Sequence, residues 1–288
     1  MTTEKSKVWL VTGVSTGLGR EIAKVAAENG NIVIGTLRKE SEFSDFYDLV
    51  PGKTHPIIMD ITKTSEISAG ISQVISEYGQ IDVLVNNAGF GLIGAAEEFS
   101  EDEARQQFDT NFWGAFNSTI GVLPQMKLQK QGKIIQIAAI GGFAPFPGMS
   151  VYGASKSAIE AFSASLALEV AGFGISLMSV LPGPMRTNFA GGSLKSPVKV
   201  LPEYDESVGG FKAFLASING KQPWSPYKTA QVIYEASQSE IAPTRLFVGD
   251  MAVSGAEKVI ATLTSDLNGW RKQALSTKFD DDATTPAH

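Results

Sequence analysis

Cysteine is absent from the 288-residue sequence, and histidine occurs only as His55 and His288. The first absence excludes disulfides and thiolate chemistry, so nothing in the chain calls for an oxidising compartment. The second excludes a multi-histidine zinc site, and it leaves a Ser-His-Asp hydrolase only His55 or the tail to work with. Long apolar runs are missing, so no membrane-spanning segment is expected. The opening MTTEKSKVWLVTG has no signal-peptide core before its first strand-like run. A basic excess is missing as well: the net charge of −6 argues against a broad nucleic-acid surface. Together these absences predict a soluble, cytoplasmic protein with no structural metal, membrane contact or nucleic-acid partner.

What is present reads as alternating strands and helices. Residues 8–12 form a short apolar run, read as a buried strand. It leads into Thr12-Gly13-Val14-Ser15-Thr16-Gly17-Leu18-Gly19, and a helix pattern follows with Ile22, Val25 and Ala26 on one face. A phosphate cradle needs this order of strand, glycine turn and helix. Gly13 allows the tight turn, Gly17 and Gly19 allow close approach, and the helix N-terminus offers N–H groups to a pyrophosphate. Residues 31–36 are a second strand, ending in Thr36-Leu37-Arg38-Lys39. An NAD enzyme usually places a carboxylate there for the ribose 2′-hydroxyl. Two cations stand there instead, which suits a 2′-phosphate and favours NADP over NAD.

Further strands are expected at 56–60, 81–85, 133–138, 174–181 and 244–248, with helices between them. Asp60 follows the third strand. Asn86-Asn87-Ala88-Gly89 follows the fourth, with room for a ribose. A long helix is expected over 100–130, with a Ser100/Glu103 capping box and a late kink or break at Pro124. Asn111 falls inside it, either as a satisfied core polar group or as a water-holding site residue. The helix at 151–171 is apolar almost all round, so one side faces the sheet and the other is available to a second subunit. Residues 188–202 lose periodicity and read as a mobile loop over a pocket. The alternation predicts an α/β fold, a doubly wound parallel sheet of about seven strands with helices on both faces. It is expected as one domain over 1–275, with a substrate loop and helices at about 188–240 and a disordered tail at 276–288.

Tyr152 and Lys156 stand four residues apart in Val151-Tyr152-Gly153-Ala154-Ser155-Lys156, on one face of a helix. A free phenol loses its proton only near pH 10, and a nearby ammonium lowers that value. With the Thr12–Gly19 turn, Asn86 to Gly89 and Asn111 in this order, the chain resembles the short-chain dehydrogenase/reductase family over about 8–187. The resemblance implies an NAD(P)-dependent, metal-free oxidoreductase, commonly a homodimer or homotetramer. Tyr152 would exchange a proton with the substrate oxygen. Lys156 would hold the nicotinamide ribose, and Asn111 would anchor a relay water. Thr12, Gly13, Ser15, Thr16, Gly17, Leu18 and Gly19 would cradle the pyrophosphate, with Thr36 beside them and Arg38 on the 2′-phosphate. Asp60 and Ile61 would border the adenine, Asn86, Ala88 and Gly89 the ribose, and Pro182, Gly183 and Thr187 the nicotinamide amide.

One position departs from the family pattern. The family places a Ser thirteen residues before the Tyr, and this chain has Ala139 there. Three readings stay open: a variant with that Ser replaced, an enzyme in which Ser150, a backbone N–H or a water supplies the contact, or an NADP binder with little turnover. The leading expectation is an NADP-dependent oxidoreductase acting on a small hydrophobic ketone, aldehyde or alcohol, with a pocket drawn from Phe90, Leu92, Phe143, Phe146, Met149, Met185 and Phe189. The alternatives are a dinucleotide-binding sensor and a non-redox enzyme on the same scaffold.

Overall fold

The computed structural model describes residues 6–279. In chain order its main elements are β1 (Val8–Val11), α1 (Gly17–Glu28), β2 (Ile32–Leu37), α2 (Phe43–Tyr47), β3 (Thr54–Ile58), α3 (Thr64–Tyr78), β4 (Val83–Asn86) and β5 (Gly91–Leu92). There follow α4 (Glu101–Phe108), α5 (Ala115–Gln129), β6 (Gly132–Ile137), α6 (Ser150–Val170), β7 (Ile175–Pro182), β8 (Leu194–Lys195), α7 (Gly210–Ile218), α8 (Pro226–Gln238), β9 (Arg245–Val248) and α9 (Asp250–Leu275). Seven strands make one parallel sheet in the order β3-β2-β1-β4-β6-β7-β9, the doubly wound arrangement expected.

Strand alternation divides the core between the two faces. Trp9, Val11, Val83 and Val85 pack with Ile22 and Ala26 of α1 and with Ala230 and Ile233 of α8. Their neighbours Leu10 and Leu84 pack on the other face with Ile67 and Ile71 of α3 and with Val122 and Met126 of α5. Strand order reverses between β1 and β4; Trp9, Leu10 and Val11 of β1 pair with β2 on one side and with β4 on the other. That reversal opens a crevice at the carboxyl ends of the strands, where ligands of such sheets bind.

Three expectations change. The segment 100–130 is not one helix. After its Ser100/Glu103 capping box, α4 passes through a π turn at Asp109–Gly114 before α5 begins. The turn forms where the buried Asn111 side chain bonds to the Phe90 backbone instead of pointing outward. Pro124 does not end the helix, which runs on to Gln129. Pro124 and Ile120 are both on the exposed side, so the carbonyl that loses its partner can take one from water. The segment 188–202 carries short regular structure. β8 pairs with β5, and the Leu201 N–H donates to Glu98 Oε1 at 2.9 Å. The tail from 280 onward lies outside the described residues.

Candidate active site

The crevice is a cleft of about 730 Å³ running across the ends of β1, β2, β4, β6 and β7. One wall is the first glycine turn. Gly13 and Gly17 both take the left-handed conformation, with φ of 71° and 68°. A Cβ at Gly13 would stand 2.9 Å from Ala88 Cα, so only glycine lets the two loops touch. Thr16 precedes α1 without capping it by its side chain, and the first turn of α1 holds no acid. Its N–H groups and positive dipole end are left to an anion.

Gly13, Ser15, Thr16, Gly17, Leu18, Thr36, Arg38, Asp60, Ile61, Ala88, Gly89, Ala139, Tyr152, Lys156, Pro182, Gly183 and Thr187 all line the cleft. Thr12, Gly19, Asn86 and Asn111 do not; they hold its walls from behind. Thr12 Oγ1 accepts from the N–H groups of Asn87 and Ala88, at 3.0 and 3.1 Å. Gly19 leaves room for Asn87, whose Nδ2 donates to the carbonyls of Thr12 and Gly13, each at 2.9 Å. Asn86 turns away from the cleft and donates to Thr119 Oγ1 and the Ala115 carbonyl. Its parity explains this: Val83 and Val85 face α1, so Asn86 faces α5.

At the end of the cleft beside β2 and β3, Arg38 and Lys39 share the lining with Asp60, Ile61 and Glu42. Burial opposes ionisation of Asp60, but hydrogen bonds from Thr62, with Lys63 and Arg38 nearby, outweigh it and hold the carboxyl below its usual value. At the opposite end, Tyr152 and Lys156 are buried on one face of α6. Tight packing brings them there. A Cβ at Gly153 would fall 2.6 Å from the Gly141 carbonyl oxygen, and one at Gly142 2.9 Å from Lys156 Cβ. The helix therefore lies directly on the turn that follows β6 and carries Ala139.

Lys156 Nζ donates to the Ile137 carbonyl at 2.7 Å. Asn111 Oδ1 accepts from the Phe90 N–H at 3.1 Å, and its Nδ2 donates to Ser155 Oγ at 3.1 Å. Gly89 admits both side chains, since a Cβ there would stand 2.9 Å from Asn111 Oδ1 and 3.5 Å from Lys156 Nζ. Burial pulls the Lys156 ammonium down to about 8 and pushes the Tyr152 phenol above its ordinary value. The expected lowering of the phenol by its neighbour is therefore not met in this geometry. Desolvation dominates both groups, and the ammonium is engaged by a carbonyl.

The end of the cleft beside Tyr152 is apolar. Phe90, Phe146, Met149, Met185 and Phe189 line it as expected, whereas Leu92 and Phe143 do not. Phe143 packs edge-on against Phe247 instead. Phe189 tilts over Tyr152, with ring centroids 5.9 Å apart. Sequence reasoning missed Lys195, whose Nζ lies 4.8 Å above the Phe90 ring, and also Phe211, Leu215, Ile218, Gln222 and Met251. Phe211 could have been found by its helical spacing to Leu215 and Ile218; the others carry no local signal. Ser150 is exposed and stands outside the lining, so it does not replace the missing hydroxyl. His55 sits between Tyr47 and Tyr78 on β3, away from the cleft. The glycine cradle, the acid-free helix start and the cations after β2 fit a dinucleotide.

Residues 7–198 match the family model described as short chain dehydrogenase. An oxidoreductase of Botryotinia fuckeliana, BOA17, is 34% identical over 94% of this chain and 99% of its own length. A 3-ketodihydrosphingosine reductase of Bacteroides thetaiotaomicron is 42% identical over 64% of this chain and 65% of its own. Among solved structures, a short-chain dehydrogenase from Streptomyces avermitilis has a TM-score of 0.88 at 37% identity, covering 96% of this chain and 100% of that one.

Proposed function

The chain belongs to the short-chain dehydrogenase family, and we propose that it is an NADP-dependent oxidoreductase interconverting a hydrophobic ketone or aldehyde with its alcohol. The observation that carries this reading is the single cleft shared by the glycine turn, Arg38, Tyr152 and Lys156. The α1 N-terminus would take the pyrophosphate, and Arg38 with Lys39 the 2′-phosphate. Ala88 and Gly89 would border a ribose. Gly183 and Thr187 would hold the amide of the nicotinamide, which when bound supplies or accepts hydride at C4. Lys156 would donate to ribose hydroxyls. Asn111 would steady the Phe90 peptide and any water beside Lys156.

Tyr152 would move the proton. Its phenol is held above the ordinary value by burial, so at neutral pH it carries its proton and can give it to a carbonyl oxygen. Phe146, Phe189, Phe211 and Met251 would exclude water and select an apolar substrate. The name of the Bacteroides thetaiotaomicron relative, a reductase of a 3-keto compound, supports keto reduction. Ala139 leaves the substrate oxygen one hydroxyl short. It favours a second reading, an NADP binder with slow hydride transfer. A panel of apolar ketones with NADPH and NADH separates the two. NADPH consumption matched by alcohol formation supports the oxidoreductase, whereas tight NADP binding with no consumption for any ketone supports the binder.

A further inference from the structure

The last helix carries an apolar face that no other part of the described residues covers. At its root, Ala252 and Ala256 are buried, with Ala252 packed against Ile140 and Ala144, and Met251 lines the cleft. From Ile260 to the end of α9 every residue is exposed. At ~1.5 Å per residue, 260–275 extends about 24 Å. Ile260, Leu263, Leu267 and Trp270 are 53–69% exposed on this stretch. They follow one another at intervals of three, four and three residues. The same seam runs back through Ala256 and Val253 and on to Ala274. This is the period of a coiled-coil seam, not of a helix lying on a globular core. A free-standing helix with Gly269 in it draws little stability from propensity and needs a partner for its face.

The polar side indicates which partner. Asp250, Glu257 and Asp266 balance Lys258, Arg271 and Lys272, so the helix has no net charge. Helices that lie on membranes present a basic polar face, and this one does not. It is complementary to itself. Laid antiparallel on a second copy, Ile260 meets Trp270 of that copy and Leu263 meets Leu267. Glu257 then flanks Arg271 of the second copy, and two-fold symmetry repeats the pair. Thr264 faces its own counterpart near the axis. Asp266 also faces its counterpart, one like-charge contact against two opposite-charge ones. A parallel pairing would match Asp266 with Arg271 but stack Trp270 on itself in one layer. We propose that α9 joins two copies of this chain through an antiparallel two-helix coiled coil. Pairing would fix the helix whose root, at Met251, closes the substrate end of the cleft.

The 288-residue chain lacks cysteine, so one engineered thiol can report the geometry. Thr264→Cys should give a covalent dimer with a short bis-maleimide, whereas Ser265→Cys, on the outer face, should not. By sedimentation, Leu263→Glu with Leu267→Glu should halve the assembly mass while circular dichroism stays native. Glu257→Arg should weaken association at least tenfold, and adding Arg271→Glu should restore it. Unchanged mass in the double glutamate variant, or equal crosslinking at the two cysteines, would overturn the proposal. So would binding of the parent, but not of the double variant, to phosphatidylserine vesicles.

Discussion

Placing a hydroxyl at position 139 should accelerate the reaction by two to three orders of magnitude. Ala139 lines the cleft at the end of β6, 7% exposed, with extended φ and ψ of −165° and 154° that a serine adopts without strain. Its carbonyl already accepts the Gly142 N–H at 2.9 Å, a bond the substitution leaves alone. With alanine, the substrate oxygen has the Tyr152 phenol as its side-chain donor. A second preorganised donor is worth about 3–4 kcal/mol where charge develops on that oxygen, roughly a hundred- to a thousand-fold in rate. The assay is the steady-state loss of reduced-nicotinamide absorbance with an apolar ketone, comparing the parent with Ala139→Ser. The gain should fall on kcat, with NADPH affinity unchanged, because the hydroxyl acts on the reacting oxygen and not on the cofactor. A kcat within about threefold of the parent would refute the reasoning, since a donor worth ~3 kcal/mol cannot be silent.

Arg38→Ala should raise the NADPH dissociation constant by about 10- to 100-fold, the worth of one charge-assisted pair, and leave NADH binding unchanged. Equal losses for both cofactors would remove Arg38 from the 2′-phosphate. Lys156 is buried with its ammonium at about 8, below the ordinary 10.5. Between those values the unfolded chain binds more protons than the folded one, so this lysine makes stability rise with pH there. Below about pH 8 the fold carries the whole cost of the buried charge. Lys156→Met should therefore melt higher than the parent at pH 7, by roughly 2–4 °C per kcal/mol, and abolish reduction. The gap should shrink as the pH rises from about 8 to 10; a gap constant with pH would contradict the assignment. Gly19→Ala would put a Cβ 2.2 Å from Asn87 Nδ2 and 2.6 Å from the Gly13 carbonyl oxygen. Urea unfolding should register a loss of about 2–4 kcal/mol, and NADP titration a weaker site. Parent-like behaviour in both would show that the Asn87 clamp is dispensable.

Much of this architecture could be read from local pattern. Buried strands announce themselves as short apolar runs, and the Gly13–Gly19 turn sits where a strand hands over to a helix. The errors have physical causes. Asn86 looked like a ribose contact because it ends a strand, yet the alternation of Val83, Leu84 and Val85 already assigns it to the α5 side. The π turn at Asp109–Gly114 depends on Asn111 reaching Phe90, a contact across 21 residues that helical periodicity cannot register. β8 has two residues, too few for any alternation, so Lys195 had no strand signal to carry it into the cleft. Spacing puts Phe211 and Leu215 on one face of α7, but how α7 folds across the pocket decides that this face lines it. The acidity of Tyr152 was misjudged for a similar reason. A four-residue spacing gives proximity to Lys156 but not burial, and burial dominates.

In the proposed reaction Tyr152 hands a proton to a carbonyl oxygen while hydride arrives from a dinucleotide in the same cleft. Deuterium transfer tests it most directly: NADPH labelled at C4 is incubated with an apolar ketone and the Ala139→Ser chain, with and without Tyr152→Phe. Deuterium is expected on the carbinol carbon of the product, and its loss in the phenylalanine variant. An alcohol formed without the label, or label transfer undiminished by Tyr152→Phe, would contradict it.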